Sequence, residues 1–503
     1  RHHRGRGQAG PCDRAGARHS RATKSVRARS ALGRLCAAAR GTRGAALLLV
    51  IVIMLAVTLS SGSFIWFMNQ QQTRAGSRYR SAAAVAAAEA GVHRAMAVLE
   101  SVAPDGKTSG RTWRPSAHVE TYRTGAVEGQ FTLSIADERD GAVLITSAGQ
   151  VAGVTRRLRA RVYLASPALL AALHGVSVVR FEQPPAAAFI LPYGAGIGDR
   201  PWIHIAAAHG IWFGSREVSI NDPALRPEIP PGPVDGPVGV NDTAALPPIG
   251  PVRLLLASGA ELLVGQERRR FDLEQLRGMG IHVEGVVLRT ETFPPPPEVD
   301  RSLFREMATA NASNAALHKA AGEYLADLAL ARKRDSVYTP AEFGQLLAYF
   351  RTGLRQRRLF GVVYISGGLV LTDGERLDIV GGSLVTEGTV VLRGGAALEV
   401  THSASTRSMP GLIVLDGGAL VITQGARLHA HGLVYVSRVI DLGPGARADI
   451  VGAAISTDRG LSFRNVGATA VIRYDPAVLG TPGLRAAADS PLVAWVAAWE
   501  ELP

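Results

Sequence analysis

At 503 residues the chain is too long for a single core and implies roughly two to four folding units. Its formal charge of +13 looks like a nucleic-acid signal until it is placed: residues 1–44 hold twelve Arg and Lys against one acid, Asp13, and the other 459 residues carry only +2. Both cysteines, Cys12 and Cys36, lie in that same segment, which excludes a disulfide framework or a thiolate metal site beyond Gly44.

Residues 1–44 are rich in Arg, Ala, Gly and Ser and read as a disordered basic leader. From Ala45 to Met68 there is no charge for 24 residues. A helix of that length spans about 36 Å, enough for a hydrocarbon core. A basic block before an apolar run sets topology, so the amino terminus is expected in the cytoplasm, with Trp66 and Phe67 at the far interface. A cleaved secretory signal is the competing reading, with Ser60 to Ser63 as its small-residue end. Residues 69–100 are Ala-rich and free of proline, which predicts that the helix continues to about Glu100. Ala87, Ala90, Gly91, Arg94 and Val98 fall at helical spacings, and the small residues among them predict a face that another helix can approach closely.

The basic leader ending in Arg43 and Gly44, the run AALLLVIVIMLAVTL and the later AAAEAGVHRA at 86–95 resemble the amino-terminal helix of type IV pilin-like proteins, in particular PilX-type minor pilins. The resemblance extends through residues 131–162. It implies prepilin-type processing between Gly44 and Ala45. It also implies other pilin-like subunits and pilus assembly proteins as partners, together with the lipid bilayer. The sequence departs from the family at the fifth mature position, where pilins usually carry Glu and this chain has Leu49.

Residues 101–170 read as a small antiparallel sheet, from the alternation of Phe131, Leu133 and Ile135, then Val143, Leu144 and Ile145, then Leu158, Ala160 and Val162. Residues 171–297 read as an irregular β region interrupted by Pro and Gly, including PEIPPGPVDGPVGVND at 227–242. His204 and His209, with Trp202 and Trp212 beside them, are five apart, whereas a metal pair wants three or four on a helix and two on a strand; packing is the expected role. Residues 298–360 read as a helical insert entered through Pro294 to Pro297, with a second helix at 340–358.

Residues 361–480 carry a repeat. Segments beginning at Gly361, Gly382, Gly411, Gly432 and Gly452 recur after 21, 29, 21 and 20 residues, and the long interval holds THSASTRSMP, 401–410. That period means a solenoid. Two positions after each glycine stand Val363, Leu384, Ile413, Val434 and Ala454, expected to stack as one interior ladder. The preceding helix and residues 467–479 are candidate end caps, and 481–503 reads as a tail. Ile472 to Pro476, IRYDP, is similar to the closing sequence of many PilX-type proteins.

The expected fold is therefore α+β and mostly β: a long transmembrane pilin-like helix, a small antiparallel sheet and a right-handed parallel β-helix-like solenoid. No catalytic, cofactor or metal site is expected, because HExxH, GxSxG, Walker and EF-hand patterns are missing and the stacked acids Glu387 and Asp416 share a column with Ser and Thr. The expected function is a non-enzymatic minor pilin or pilus assembly component, single-pass in the cytoplasmic membrane, with its bulk periplasmic or on the cell surface. Surface glycans are a further expected partner, and nucleic acid is not. Two alternatives remain: a membrane-tethered β-helix that binds or degrades polysaccharide, and a self-assembling solenoid scaffold.

Overall fold

A computed structural model describes residues 44–502, apart from 125–126, 139–141, 183–186, 193–202, 215–218, 221–251, 265–270, 280, 284, 353–356, 459, 464–467 and 487–491. Most of residues 1–44, the 227–242 proline segment and Trp202 therefore lie outside the described residues. The described chain is mostly β, with many parallel strands and one long apolar helix, Gly44–Glu100. It divides into two compact units after Ala82.

In the first unit the helix exposes its apolar side chains from Leu47 to Met68 and is long and apolar enough to cross a membrane. Two of its hydroxyls are satisfied within the helix: Thr58 donates to the Met54 carbonyl at 2.7 Å and Ser63 to that of Leu59 at 2.8 Å. Such back-bonding lets Ser and Thr sit at membrane depth without orphaned donors.

The second unit begins on the same helix, where Ala84, Ala87, Ala88, Val92, Ala95 and Leu99 are fully buried. Ala84 and Ala87 pack with Val151, and Ala88, Val92, Ala95 and Leu99 pack with Phe131, Leu133, Ile145, Leu158, Ala160 and Val162 of an antiparallel sheet. Its strands are, in order, His118–Thr124, Val127–Asp137, Val143–Val151, Val154–Ala165 and Val493–Leu502. The last strand corrects the reading of 481–503 as a tail. Its Ala494 and Val496 supply apolar side chains to the helix-facing core, and Val493–Leu502 takes the outer edge of Val154–Ala165.

The repeats form parallel ladders. Val363–Ile365 pairs with Leu384–Thr386, which pairs in turn with Leu412–Val414, and this strand with the end of Arg427–Val436. A second column runs Leu369–Leu371, Val390–Leu392, Leu420–Ile422 and Val439–Leu442. A third runs Arg358–Phe360, Arg376–Val380, Ala397–Thr401, the start of Arg427–Val436 and that of Arg447–Ser456. The turn before the third column has both central residues in the left-handed region: φ is 51° and 75° at Asp373 and Gly374, 63° and 73° at Gly394 and Gly395, and 53° and 74° at Gln424 and Gly425. That conformation explains the glycines at 374, 394, 395 and 425.

The described parts of residues 171–290 are regular strands, contrary to the reading of this stretch as irregular. Leu173–Gly175 pairs with Ala454–Ser456, then with 205–207, and that strand pairs with 254–256. Ala187–Pro192 likewise pairs with Thr469–Tyr474. Residues 469–474 are thus an interior rung with a partner on each side, and not an end cap. The helix Pro340–Arg351 does cover the opposite end. Thr339 and Glu342 form its capping box, and Phe343, Leu346 and Phe350 are buried in the core it shares with Tyr338, Leu359 and Val363. Fully burying each such side chain contributes about 1.5–3 kcal/mol.

Candidate functional site

Three surfaces carry the residues singled out by sequence. Gly44 opens the long helix and Ala45 follows it. From Ala45 to Ala88 there is no acid, and the bases are Arg74, Arg78 and Arg80, all exposed. At 1.5 Å per residue, Arg74 stands about 43 Å along the helix from Ala45, close to the full thickness of a bilayer with its headgroups.

The small-residue face is the second. Ala87 and Gly91 are buried, Ala90 is half-buried, and Arg94 is exposed with its Nε 3.2 Å from the Glu120 carboxylate. A Cβ on Gly91 would lie 2.2 Å from Ser147 Oγ and 2.9 Å from Phe131 Cδ2. From the other side, a Cβ on Gly149 would meet the Ala84 carbonyl at 2.2 Å. The expectation that this face receives another helix is therefore corrected. The protein's own sheet occupies it, because a flat strand with Gly149 approaches an Ala/Gly helix face closely.

The third surface is the stacked repeat. Val363, Leu384, Ile413, Val434 and Ala454 are all fully buried. Four of them share one ladder, but its third rung is Leu412; Ile413 pairs instead with Val385 and Tyr435. The insertion before Pro410 shifts the strand by one residue, and one residue flips a side chain to the opposite face. Ile413 is nonetheless buried, because that other face is covered as well. Residues 293–311 run along it as a strap. Phe293 lies 5.1 Å from the His174 ring, His174 Nε2 donates to the Pro294 carbonyl at 2.9 Å, and Asn311 Nδ2 donates to the Phe360 and Val362 carbonyls at 2.6 and 2.9 Å. Proline suits this segment: it has no N–H to leave unsatisfied, and its carbonyl still accepts.

The strap also reaches the acids. Arg301 pairs with both Glu387 and Asp416, and Glu387 accepts a 2.5 Å hydrogen bond from the Tyr364 hydroxyl. Asp378 and Glu399 are bridged in the same way by Arg376. These carboxylates are neutralised partners in ion-pair ladders. The 401–410 insertion is pinned by Arg407, whose Nε and Nη2 donate to the two Asp475 oxygens at 2.7 and 2.8 Å. Tyr474 donates to the Leu169 carbonyl at 2.9 Å, so IRYDP ties the last repeat both to the insertion and to the Pro167–Leu170 turn that leads into Ala171–Gly175.

His204 and His209 do not converge. His204 Nδ1 accepts from the Arg253 backbone N–H at 3.1 Å, and His209 faces Ser177 at 3.5 Å. Among the described residues, no group of three or more His, Cys, Asp or Glu is arranged to hold a metal ion. Sequence reasoning missed the strap, the Arg407–Asp475 pair and a histidine pair at 429 and 431, whose spacing of two on a strand was its visible signal.

These features define a class: a β-rich protein built on one long apolar helix, with an antiparallel sheet over its second half and stacked parallel strands beyond. No protein-family model matches the chain, and no curated protein matches it. Among solved structures, the competence-associated pilin ComZ from Thermus thermophilus aligns over 84% of this chain and 97% of its own, at 14% identity and a TM-score of 0.25. A likeness of that size does not define a shared fold.

Proposed function

We propose that the protein is a non-enzymatic minor pilin or pilus assembly component of the PilX-like kind, anchored by the long helix and displaying a β-solenoid head outside the cytoplasm. The observation that carries this reading is the division of labour along one helix. Residues 47–68 are exposed and apolar, whereas residues 84–99 bury small side chains under an antiparallel sheet. An anchor that is simultaneously the spine of the head suits a subunit that leaves the bilayer side by side with others. The exposed, acid-free stretch to Ala82 is then the surface for neighbouring helices and lipid, since the Ala87–Gly91 face is already filled. Arg74, Arg78 and Arg80, with Tyr79 between them, suit the far headgroup layer. The ladder of successive rungs supports the solenoid, and the arginine-bridged carboxylates support a head without hydrolytic chemistry.

Mass spectrometry of the membrane-extracted protein tests this. An amino terminus at Ala45, with other pilin-like subunits co-isolating, is the expected result. A terminus after Ser63, with the protein released in soluble form, would overturn it. Turnover of a polysaccharide panel by the purified chain would move the reading to a tethered β-helix enzyme.

A further inference from the structure

The strand Arg427–Val436 carries His429 and His431, two residues apart and so on one face of the sheet. Their Nε2 atoms are 3.2 Å apart. Two nitrogens bound at 2.0–2.1 Å to one tetrahedral ion stand about 3.3 Å apart, so the spacing of the two nitrogens already matches a shared ion. Both rings are half-buried.

We propose that His429 and His431 form a chelating pair for an imidazole-seeking divalent transition-metal ion, Zn²⁺ or Cu²⁺, on the parallel sheet beside the 401–410 insertion. The neighbouring rungs supply the field. His429 stands in register between Glu399 and Asp449, and Asp449 Oδ1 is buried without a hydrogen-bond partner. A cleft of about 240 Å³ lined by Arg376, Asp378, Glu399, Thr401, His402 and His431 leaves room for the ion's waters. Only two imidazoles converge, so water or Asp449 completes the shell. The nearby cations select the ion. Arg376 and Arg447 already neutralise Glu399 and Asp449, and Arg473 opposes positive charge at both histidines. Hard ions that bind through charge alone, Mg²⁺ and Ca²⁺, gain too little there. Ions with strong bonds to imidazole gain enough. The competing state is a hydrogen bond between the rings. On metal binding His431 takes the Nδ1–H tautomer, at the expense of a 3.5 Å contact from the His402 N–H to that nitrogen.

The test is calorimetric titration of the full chain in detergent with Zn²⁺, beside His429→Gln and His431→Gln. Because every variant keeps His2 and His3, the difference between isotherms is the readout. One equivalent of binding should disappear, or weaken at least about tenfold, in each variant, and Asp449→Asn should weaken it less. Unchanged melting without metal shows that the variants fold. With Cu²⁺, electron paramagnetic resonance of the wild type should show coupling to two imidazole nitrogens at this site. Superimposable isotherms, or a wild-type Cu²⁺ spectrum without coupling to two imidazole nitrogens, overturn the proposal, and the wild-type spectrum does so even where a variant fails to fold.

Discussion

At Gly91 the helix meets its sheet with no space for a β-carbon, which would sit 2.2 Å from Ser147 Oγ. Gly91→Val is therefore expected to cost about 1–3 kcal/mol through overpacking, seen as a lower urea midpoint for the β head. An unchanged midpoint would mean that the sheet does not seat on this face. His174 tests a different force. It is almost wholly buried, its Nε2 bonded to the Pro294 carbonyl and its Nδ1 without a partner, and burial pulls it from 6.5 to about 4. The unfolded chain binds this proton more tightly, so the contribution to stability is complete above pH 6.5 and is lost as pH falls toward 4. The difference corresponds to about 3 kcal/mol. His174→Asn, which cannot titrate, should flatten that part of the pH dependence of unfolding. A slope between pH 6.5 and 4 as steep as in the wild type would count against it.

At the scale of elements, the 401–410 insertion is held by a bidentate ion pair to a buried carboxylate, Asp475. Arg407→Ala should destabilise the repeats by about 1.5–3 kcal/mol, a typical value for hydrogen bonds to a charged group. Arg407→Lys should recover only part of this, because an ammonium cannot match both oxygens. Equal melting temperatures for Lys and Arg would show that charge alone matters. The elements also differ in how legible they were. Ala84 to Leu99 and the strands from Phe131 to Val162 announce themselves because one face is buried and the other wet, so the alternation is written in the residues. The repeats of 361–475 are legible through glycine, which recurs at their turns and takes a positive φ at Gly361, Gly374, Gly425, Gly432 and Gly445, although Asp373 and Gln424 take one as well. The rungs at 171–175, 203–207 and 252–257 have no common period, being separated by long connections, and only pairing to a neighbour reveals them. Ile413 illustrates a narrower failure: a constant distance from glycine does not guarantee a constant face once an insertion has changed the count. For the metal pair the signal was present in HAH at 429–431, but attention went to His204 and His209, which were five apart.

For the whole molecule, the order of rungs in space is not their order in the chain. Residues 171–290 wind away from a junction that residues 361–475 wind toward, and the strap at 293–311 returns along the stack to join the two runs. The rung at 469–474 therefore finds its outer partner nearly three hundred positions earlier in the chain. Such pairing is slow to form, since a large loop must close before it contributes. It also means that the carboxyl-terminal repeats are not an independent unit. An isolated 340–503 fragment would present the Thr469–Tyr474 and Ala454–Ser456 edges without Ala187–Pro192 and Leu173–Gly175. Open parallel edges of this kind associate. Sedimentation velocity should show concentration-dependent association of the fragment, relieved by adding a 101–336 fragment in trans, while the intact chain in detergent shows none through this edge. A fragment that stays monomeric at about 50 µM, within the range where exposed edges aggregate, would mean that the last rung is stable without its partner. The self-assembling scaffold reading requires the opposite of the intact-chain result: end-to-end association with both edges already paired.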